Sequence, residues 1–251
     1  MMREKEASGP MRHWIMLVAA VVVGAVLTLH PGIDIVVSDL FFEPENGFAW
    51  RSDGIANLVH EAIQVFARVI GVALLLGTLY TLIRSRQAGR KVELLGLGVR
   101  KWVFLFLSLV IAPGLVANTL LKDNFGRARP FQVAEFGGPL VHSPPLVVTD
   151  QCEDNCSFVA GDPALGFWLH SFAYVVGRRS RLVLAGGIAA GGLAGLLRIA
   201  MGAHFFSDVL FAGAFMLGTV ALLHAVMFGR RATAARWRSW MGLPQPAGGM
   251  R

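Results

Sequence analysis

The sequence predicts an all-α protein, an integral membrane bundle of six helices forming one domain over residues 1–251. Three observations carry that prediction. The 251 residues are 55% hydrophobic and only 16% charged, a balance typical of membrane proteins rather than soluble domains. Apolar runs near the length of about 18–20 residues needed to cross a bilayer recur along the chain. Basic residues collect between those runs, so the net charge of +7 reads as helix orientation. Nucleic acid is excluded as a partner because no basic–aromatic interleaving accompanies the charge.

The first span is expected near 14–36, preceded by Arg3, Lys5 and Arg12. A cleaved signal peptide is the alternative. His30-Pro31-Gly32, not a small-residue cleavage site, follows the run, which favours an uncleaved helix. An acidic loop reaches to about residue 55. The second span, 57–83, carries Arg68 near mid-depth, where a charge normally faces a partner or water; Glu61 is its candidate partner. A basic loop, 84–101, leads to the third span, 102–121, which Pro113-Gly114 should bend. The polar segment 122–161 holds both cysteines. The fourth span, 162–177, opens on Asp162-Pro163, a strong helix start. The fifth, 182–201, carries Gly187, Gly191 and Gly195 at four-residue spacing, which lets helices approach closely. The sixth runs 205–228, and a basic tail follows.

Of the 23 Lys and Arg residues, all but Arg51, Arg68, Lys122, Arg127, Arg129 and Arg198 lie in the N-terminus, loops 84–101 and 178–181, and the tail. Positive-inside bias then places both termini in the cytoplasm. Four of the six exceptions, Lys122, Arg127, Arg129 and Arg198, fall at the opposite membrane face. Orientation does not explain them; binding an anion does. Cys152 and Cys156 form a small disulfide loop if their segment faces an oxidising compartment, and are two free thiols otherwise. No second ligand pair accompanies them for zinc.

The chemistry is expected around Arg198-Ile-Ala-Met-Gly-Ala-His204-Phe-Phe-Ser-Asp208. Residues four apart share a helix face, so Asp208 is placed to accept from one ring nitrogen of His204 and free the other to attack. Arg198 adds a fork of donors suited to phosphate oxygens. Upstream stands Lys122-Asp-Asn-Phe-Gly-Arg127-Ala-Arg129-Pro130, a Lys-x6-Arg-Pro pattern. Together, Lys-x6-Arg-Pro and Arg-x5-His-x3-Asp resemble the first and third motifs of the type 2 phosphatidic acid phosphatase superfamily. The resemblance covers the third span to the sixth and implies the family's haloperoxidase-like helical fold. It also implies roles. Lys122, Arg129 and Arg198 hold the phosphoryl oxygens, His204 forms a phosphohistidine, and Asp208 orients it. Water completes hydrolysis, with no metal and no cofactor.

The middle motif departs from that pattern. Where the family has Pro-Ser-Gly-His, this chain has Val159-Ala160-Gly161-Asp162. Gly161 keeps a backbone N–H at a helix start, suited to phosphate. The histidine that protonates the leaving group in the family is replaced by Asp162. Two readings stay open for it: a general acid, which requires a raised pKa, or a helix cap before Pro163. The serine before the third motif's arginine is also replaced, by Leu197.

The residues around the motifs, with Cys156-Ser-Phe-Val-Ala-Gly-Asp162 downstream, resemble the bacterial lipid A phosphatase branch. That implies removal of the 1- or 4′-phosphate at the periplasmic face of the inner membrane. A weak acid at position 162 favours a good leaving group, an anomeric 1-phosphate or a polyprenyl pyrophosphate. Arg127, Glu135 and His142 are candidate headgroup contacts. The expected partners are the phosphorylated lipid and the bilayer, with no obligate protein partner. Undecaprenyl pyrophosphate or phosphatidylglycerol phosphate hydrolysis, lipid phosphotransfer, and non-catalytic binding of a lipid phosphate are the rivals. An attacking histidine with an orienting carboxylate argues against a pure binder.

Overall fold

The computed structural model describes residues 22–243, so residues 14–21 of the first predicted span, the basic lead and Arg251 lie outside it. The described chain is mostly helical. Helix α1 (Val22–Leu29) meets α2 (Gly32–Asp39) at a bend of 82°. Pro31 lacks a backbone donor and disfavours helical geometry at His30, which accounts for the break there. A small hairpin, β1 (Phe42–Glu43) with β2 (Gly47–Phe48), leads into α3 (Gly54–Ala88). The Asp53 carboxylate caps α3 by accepting from Ala56 N at 2.7 Å, and Gly89, at φ 61°, ends it. A second hairpin, β3 (Glu93–Leu94) with β4 (Leu97–Gly98), precedes α4 (Val99–Leu109). That helix continues to Lys122 in a wider, π-wound form. Pro113 sits near the change of winding, and Asn118 Nδ2 donates to its carbonyl at 2.9 Å. The remaining helices are α5 (Gly161–Trp168, prolonged by a 3-10 segment Leu169–Tyr174), α6 (Ser180–Ala200), α7 (Phe206–Phe228) and α8 (Arg230–Trp240).

By length and composition α3, α4 with its continuation, α6 and α7 can cross a membrane, and α1–α2 makes a fifth span if the bent pair counts as one. The expected six are not reached among the described residues. The first predicted span counts only as the bent pair, and the fourth fails on length. Gly161 to Tyr174 extends only roughly 24 Å at helical rises, short of the ~30 Å hydrocarbon core. It is also enclosed by protein: Asp162, Pro163, Ala164, Leu165, Phe167 and Trp168 are all buried. The apolar run therefore marks a central helix that carries the chain back across the bundle antiparallel to α6, Gly166 against Gly191 and His170 against Gly187, packed in protein rather than lipid.

Glycines let that helix seat so deeply. A Cβ on Gly166 of α5 would lie 2.7 Å from Gly191 Cα, and one on Gly191 would lie 2.3 Å from Phe167 Cγ. Gly187 and Gly195 are similarly close to His170 and Val209. The stripe predicted on the fifth span thus serves close packing against both α5 and α7. Trp168 fills the centre, its indole N–H donating to Ser108 Oγ at 2.9 Å. On the outside, α3 exposes Val65, Val69, Val72 and Leu76, the apolar surface a bilayer would cover. Helix α8, expected only as a basic tail, folds back on the bundle, where Thr233 Oγ1 lies 2.7 Å from His224 Nδ1.

Candidate active site

The end of α6, the turn after it and the start of α7 deliver three of the sequence-predicted residues. Arg198 lies in the last turn of α6. The chain then turns at Gly202, whose φ of +62° and close packing under the Phe48 ring, 2.4 Å from where a Cβ would be, leave room for glycine alone. His204 follows, buried, and Asp208 enters the first turn of α7, where its Oδ2 accepts from Phe205 N at 2.8 Å. Lys122 comes from the end of the π-wound segment. Arg129 comes from the loop beyond, with Nε and Nη2 donating to the Asn155 carbonyl at 3.2 and 2.6 Å.

These side chains converge on one cavity of about 660 Å³. Lys122, Arg129, Arg198, Gly161 and His204 line it. A Cβ on Gly161 would lie 3.3 Å from Asn118 Oδ1 and 3.7 Å from Lys122 Nζ, so the helix start and the lysine face the same small space. Ala67 and Arg68 of α3, Leu109 of α4, and Pro113 and Gly114 of its π-wound continuation complete the wall. Arg68 therefore faces this space rather than pairing with Glu61. A neighbouring cavity of about 450 Å³ shares Arg129 and Arg198 and adds Arg51, which stacks 3.3 Å over the Phe131 ring.

The cations leave a mark on the titrating groups between the helices. Burial first, then Arg129, Lys122 and Arg198, holds His204 well below the ordinary 6.5. Burial, followed by repulsion from Arg198, pushes Arg129 down to about 10. A neutral imidazole thus faces a dense positive field. Neutral is the form a nucleophile needs, and the field suits a phosphate dianion.

The histidine is not oriented as the sequence implies. His204 Nδ1–H donates to the Ser157 carbonyl at 2.8 Å, while Asp208 Oδ2 stands 3.9 Å away, beyond hydrogen-bond reach. Ser157 joins the two: its Oγ donates to Asp208 Oδ2 at 2.6 Å. The four-residue spacing fails to make a direct bond because Asp208 is within α7 and His204 in the turn before it. Either way Nδ1 carries the proton, and Nε2 is the nitrogen left for the cavity.

Arg127 is also displaced from its expected place. It is 1% exposed and lines neither cavity. Its guanidinium donates to Asp208 Oδ1 at 2.5 Å, Ser207 Oγ at 2.8 Å, Asp34 Oδ2 at 2.7 Å and the Ser143 carbonyl at 2.9 Å. It is a buried strut tying α2, the loop and α7 together. His142 packs beside it on the Phe205 ring, and Glu135 is exposed. The headgroup role expected of Arg127 is corrected accordingly, since its guanidinium is spent inside the protein.

Asp162 is buried, and it does not cap α5: the cap position is Ala160, without a side-chain bond. Its Oδ2 lies 2.6 Å from His60 Nδ1 and 3.5 Å from Arg198 Nε, and its Oδ1 accepts from Gln64 Nε2 at 2.6 Å. His60 and Gln64 were missed by sequence reasoning. The available signal was their spacing with Arg68, a polar stripe at four-residue steps along an otherwise apolar span. Ser157, Asp34 and Ser207 carry no such signal. Cys152 and Cys156 are joined, with Cα atoms 5.7 Å apart, in the loop that presents Asn155 to Arg129. Among the described residues no group of three His, Cys, Asp or Glu side chains is placed to hold a metal ion.

A family model described as the PAP2 superfamily matches residues 101–232, more than half of the chain. The chain is 33% identical over 210 residues to a lipid A 4′-phosphatase of Francisella tularensis subsp. novicida, covering 81% of this chain and 90% of the relative. It is 31% identical over 207 residues to a lipid A 4′-phosphatase of Rhizobium etli, covering 74% and 75%. A third protein of that name, from Rhizobium leguminosarum, is 30% identical over 198 residues, with 74% and 83% covered. No solved structure matches the chain.

Proposed function

The chain belongs to the PAP2 superfamily and is a phosphatase, and from that premise we propose that it removes the 4′-phosphate of lipid A at the periplasmic face of the bacterial inner membrane. One observation carries the reading beyond the family: a cationic seat joined to a slot that descends between two long apolar helices. Eight residues of α3 separate His60 from Arg68, a descent of roughly 12 Å along the same cavity wall. A soluble phosphate ester needs only the seat. A lipid needs both, with its phosphate among Lys122, Arg129 and Arg198 and its apolar part toward the gap beside α3 and α4. The resemblance to relatives named for the 4′-position directs the choice of phosphate over the anomeric 1-position. Both termini are then cytoplasmic, as the basic loops require.

The steps follow from the residues. Lys122, Arg129, Arg198 and the Gly161 N–H hold the non-bridging oxygens and offset charge in a transition state where positioning and electrostatics dominate. His204 Nε2 attacks phosphorus, the bond to the sugar oxygen breaks, and a phosphohistidine forms. Water then attacks phosphorus, the P–N bond breaks, and inorganic phosphate leaves. Three side-chain cations supply the charge neutralisation, so the reading has no metal; a chelator is expected to leave the rate unchanged.

Phosphate release by the purified protein from lipid A, undecaprenyl pyrophosphate and phosphatidylglycerol phosphate tests the substrate. His204→Ala provides the blank. The expected result is preference for lipid A, with mass spectrometry placing the loss at the 4′-position. Preference for either other lipid would refute the substrate. Appearance of the phosphate on a second lipid instead of in solution would make the protein a transferase.

A further inference from the structure

Resting on the phosphatase reading, we propose that His60 of α3 is the proton donor to the leaving oxygen and that Asp162 is its positioning residue. The family's middle motif carries the acid on the helix that α5 represents, but this chain has no histidine there. The 4′-oxygen leaves from a sugar hydroxyl, a poor leaving group that needs a proton. Two candidates for the donor face the seat.

Asp162 is the weaker one. A carboxyl group that acts as an acid must present an O–H to the substrate. Both Asp162 oxygens are instead taken up as acceptors, Oδ1 by the Gln64 amide and Oδ2 by His60 Nδ1, with Arg198 Nε at ion-pair distance, 3.5 Å. With one hydrogen-bond donor on each oxygen and the Arg198 guanidinium nearby, the group is placed to accept rather than to donate.

His60 has the complementary geometry. Its side chain is 34% exposed while Asp162 is 4% exposed, so the carboxylate is fixed in the protein and the imidazole stands at the cavity wall. With Nδ1–H committed to Asp162 at 2.6 Å, Nε2 is the nitrogen that remains to serve the cavity, and His60 lines both the phosphate seat and the cavity beside it. A leaving group departing from phosphorus passes into that shared space. In the first half-reaction His204 Nε2 bonds to phosphorus, the P–O bond breaks, and the leaving oxygen takes the proton from His60 Nε2. In the second, water gives a proton to His60 Nε2 as its oxygen bonds to phosphorus and the P–N bond breaks. The ring ends protonated, as it began. Helix α3 thus supplies the function that α5 has lost, and the carboxylate at the motif position orients the substitute.

The test compares wild type, His60→Gln, His60→Ala and Asp162→Asn on lipid A and on phenyl phosphates whose phenols range from strongly acidic to weakly acidic. The expected loss for the His60 variants is about 10²–10⁴-fold on lipid A. Compared in kcat/KM, which reports the first half-reaction alone, the loss should shrink steadily along the aryl series. It should be less than about fivefold on p-nitrophenyl phosphate, whose leaving group needs no proton. Meanwhile kcat falls on every substrate, because all share the phosphohistidine hydrolysis. Retained p-nitrophenyl kcat/KM certifies the fold of each variant. Added imidazole is expected to restore lipid A turnover to His60→Ala, whereas Asp162→Asn should show a smaller loss and a displaced pH profile. Equal losses of kcat/KM on all substrates, or none on lipid A, would overturn the proposal, as would a steeper leaving-group dependence in Asp162→Asn than in His60→Gln. The substrate reading fails separately, if wild type cleaves the aryl series but not lipid A; the leaving-group split still judges His60.

Discussion

At His204 the ring is fixed by a relay of three residues. Asp208 accepts from Ser157 Oγ, and the Ser157 carbonyl accepts from His204 Nδ1. Burial, and then the surrounding cations, hold the imidazole well below 6.5. Because that shift is downward, the neutral nucleophile persists as pH falls through the ordinary histidine range. The ring resonance of His204 in detergent should therefore not titrate between pH 8 and pH 6. In Arg129→Gln, which removes one of the opposing charges, its titration should move upward toward 6.5. A wild-type midpoint at 6.5 would contradict the electrostatic account. The two neighbouring arginines make a second contrast. Arg127→Met would strand Asp34 and Asp208 in the interior, a loss of about 3–5 kcal/mol for a broken buried pair, visible as a sharp fall in Tm. Arg129→Met should leave Tm near wild type and lower kcat/KM about 10²–10³-fold, the scale of one lost transition-state donor. If the two variants exchange these phenotypes, the strut and the phosphate ligand have been misassigned.

Among the elements, α5 has the least tolerance for change. It lies against glycines, so added volume there has nowhere to go. Gly191→Ala would bring a Cβ within 2.3 Å of Phe167 Cγ and should destabilise by about 1–3 kcal/mol. Gly192→Ala, one residue on, has nothing within 4 Å and should be neutral or slightly stabilising, since alanine favours helix over glycine. Thermal unfolding in one detergent compares them, and equal effects would rule out the close approach of α5 and α6. The same element shows where sequence reasoning stops. Hydropathy reads apolar runs, and a helix packed in protein is as apolar as one packed in lipid; only length separates them, and residues 162–177 looked long enough. The glycine stripe was legible because small residues at one spacing have few other uses.

For the molecule as a whole, the motifs brought distant parts of the chain to one place as their spacing implied. Lys122, Arg129, Arg198, Gly161 and His204 share a cavity although they come from four segments. That much was readable because charge at membrane boundaries has to be explained by something it binds. What was not readable came from side chains whose meaning depends on a partner far along the chain. Arg127 looked like a headgroup ligand until Asp34, 93 residues away, took its charge. His60 had no role until Asp162, 102 residues away, gave it one. The account's central claim is that His204 takes the phosphoryl group from the lipid. Rapid quenching of the wild-type enzyme with lipid A radiolabelled at the 4′-phosphate, followed by peptide mapping, tests it most directly. The predicted result is an acid-labile, base-stable label on the peptide containing His204, absent from His204→Ala. A label on any other residue, or one that persists in His204→Ala, would contradict it.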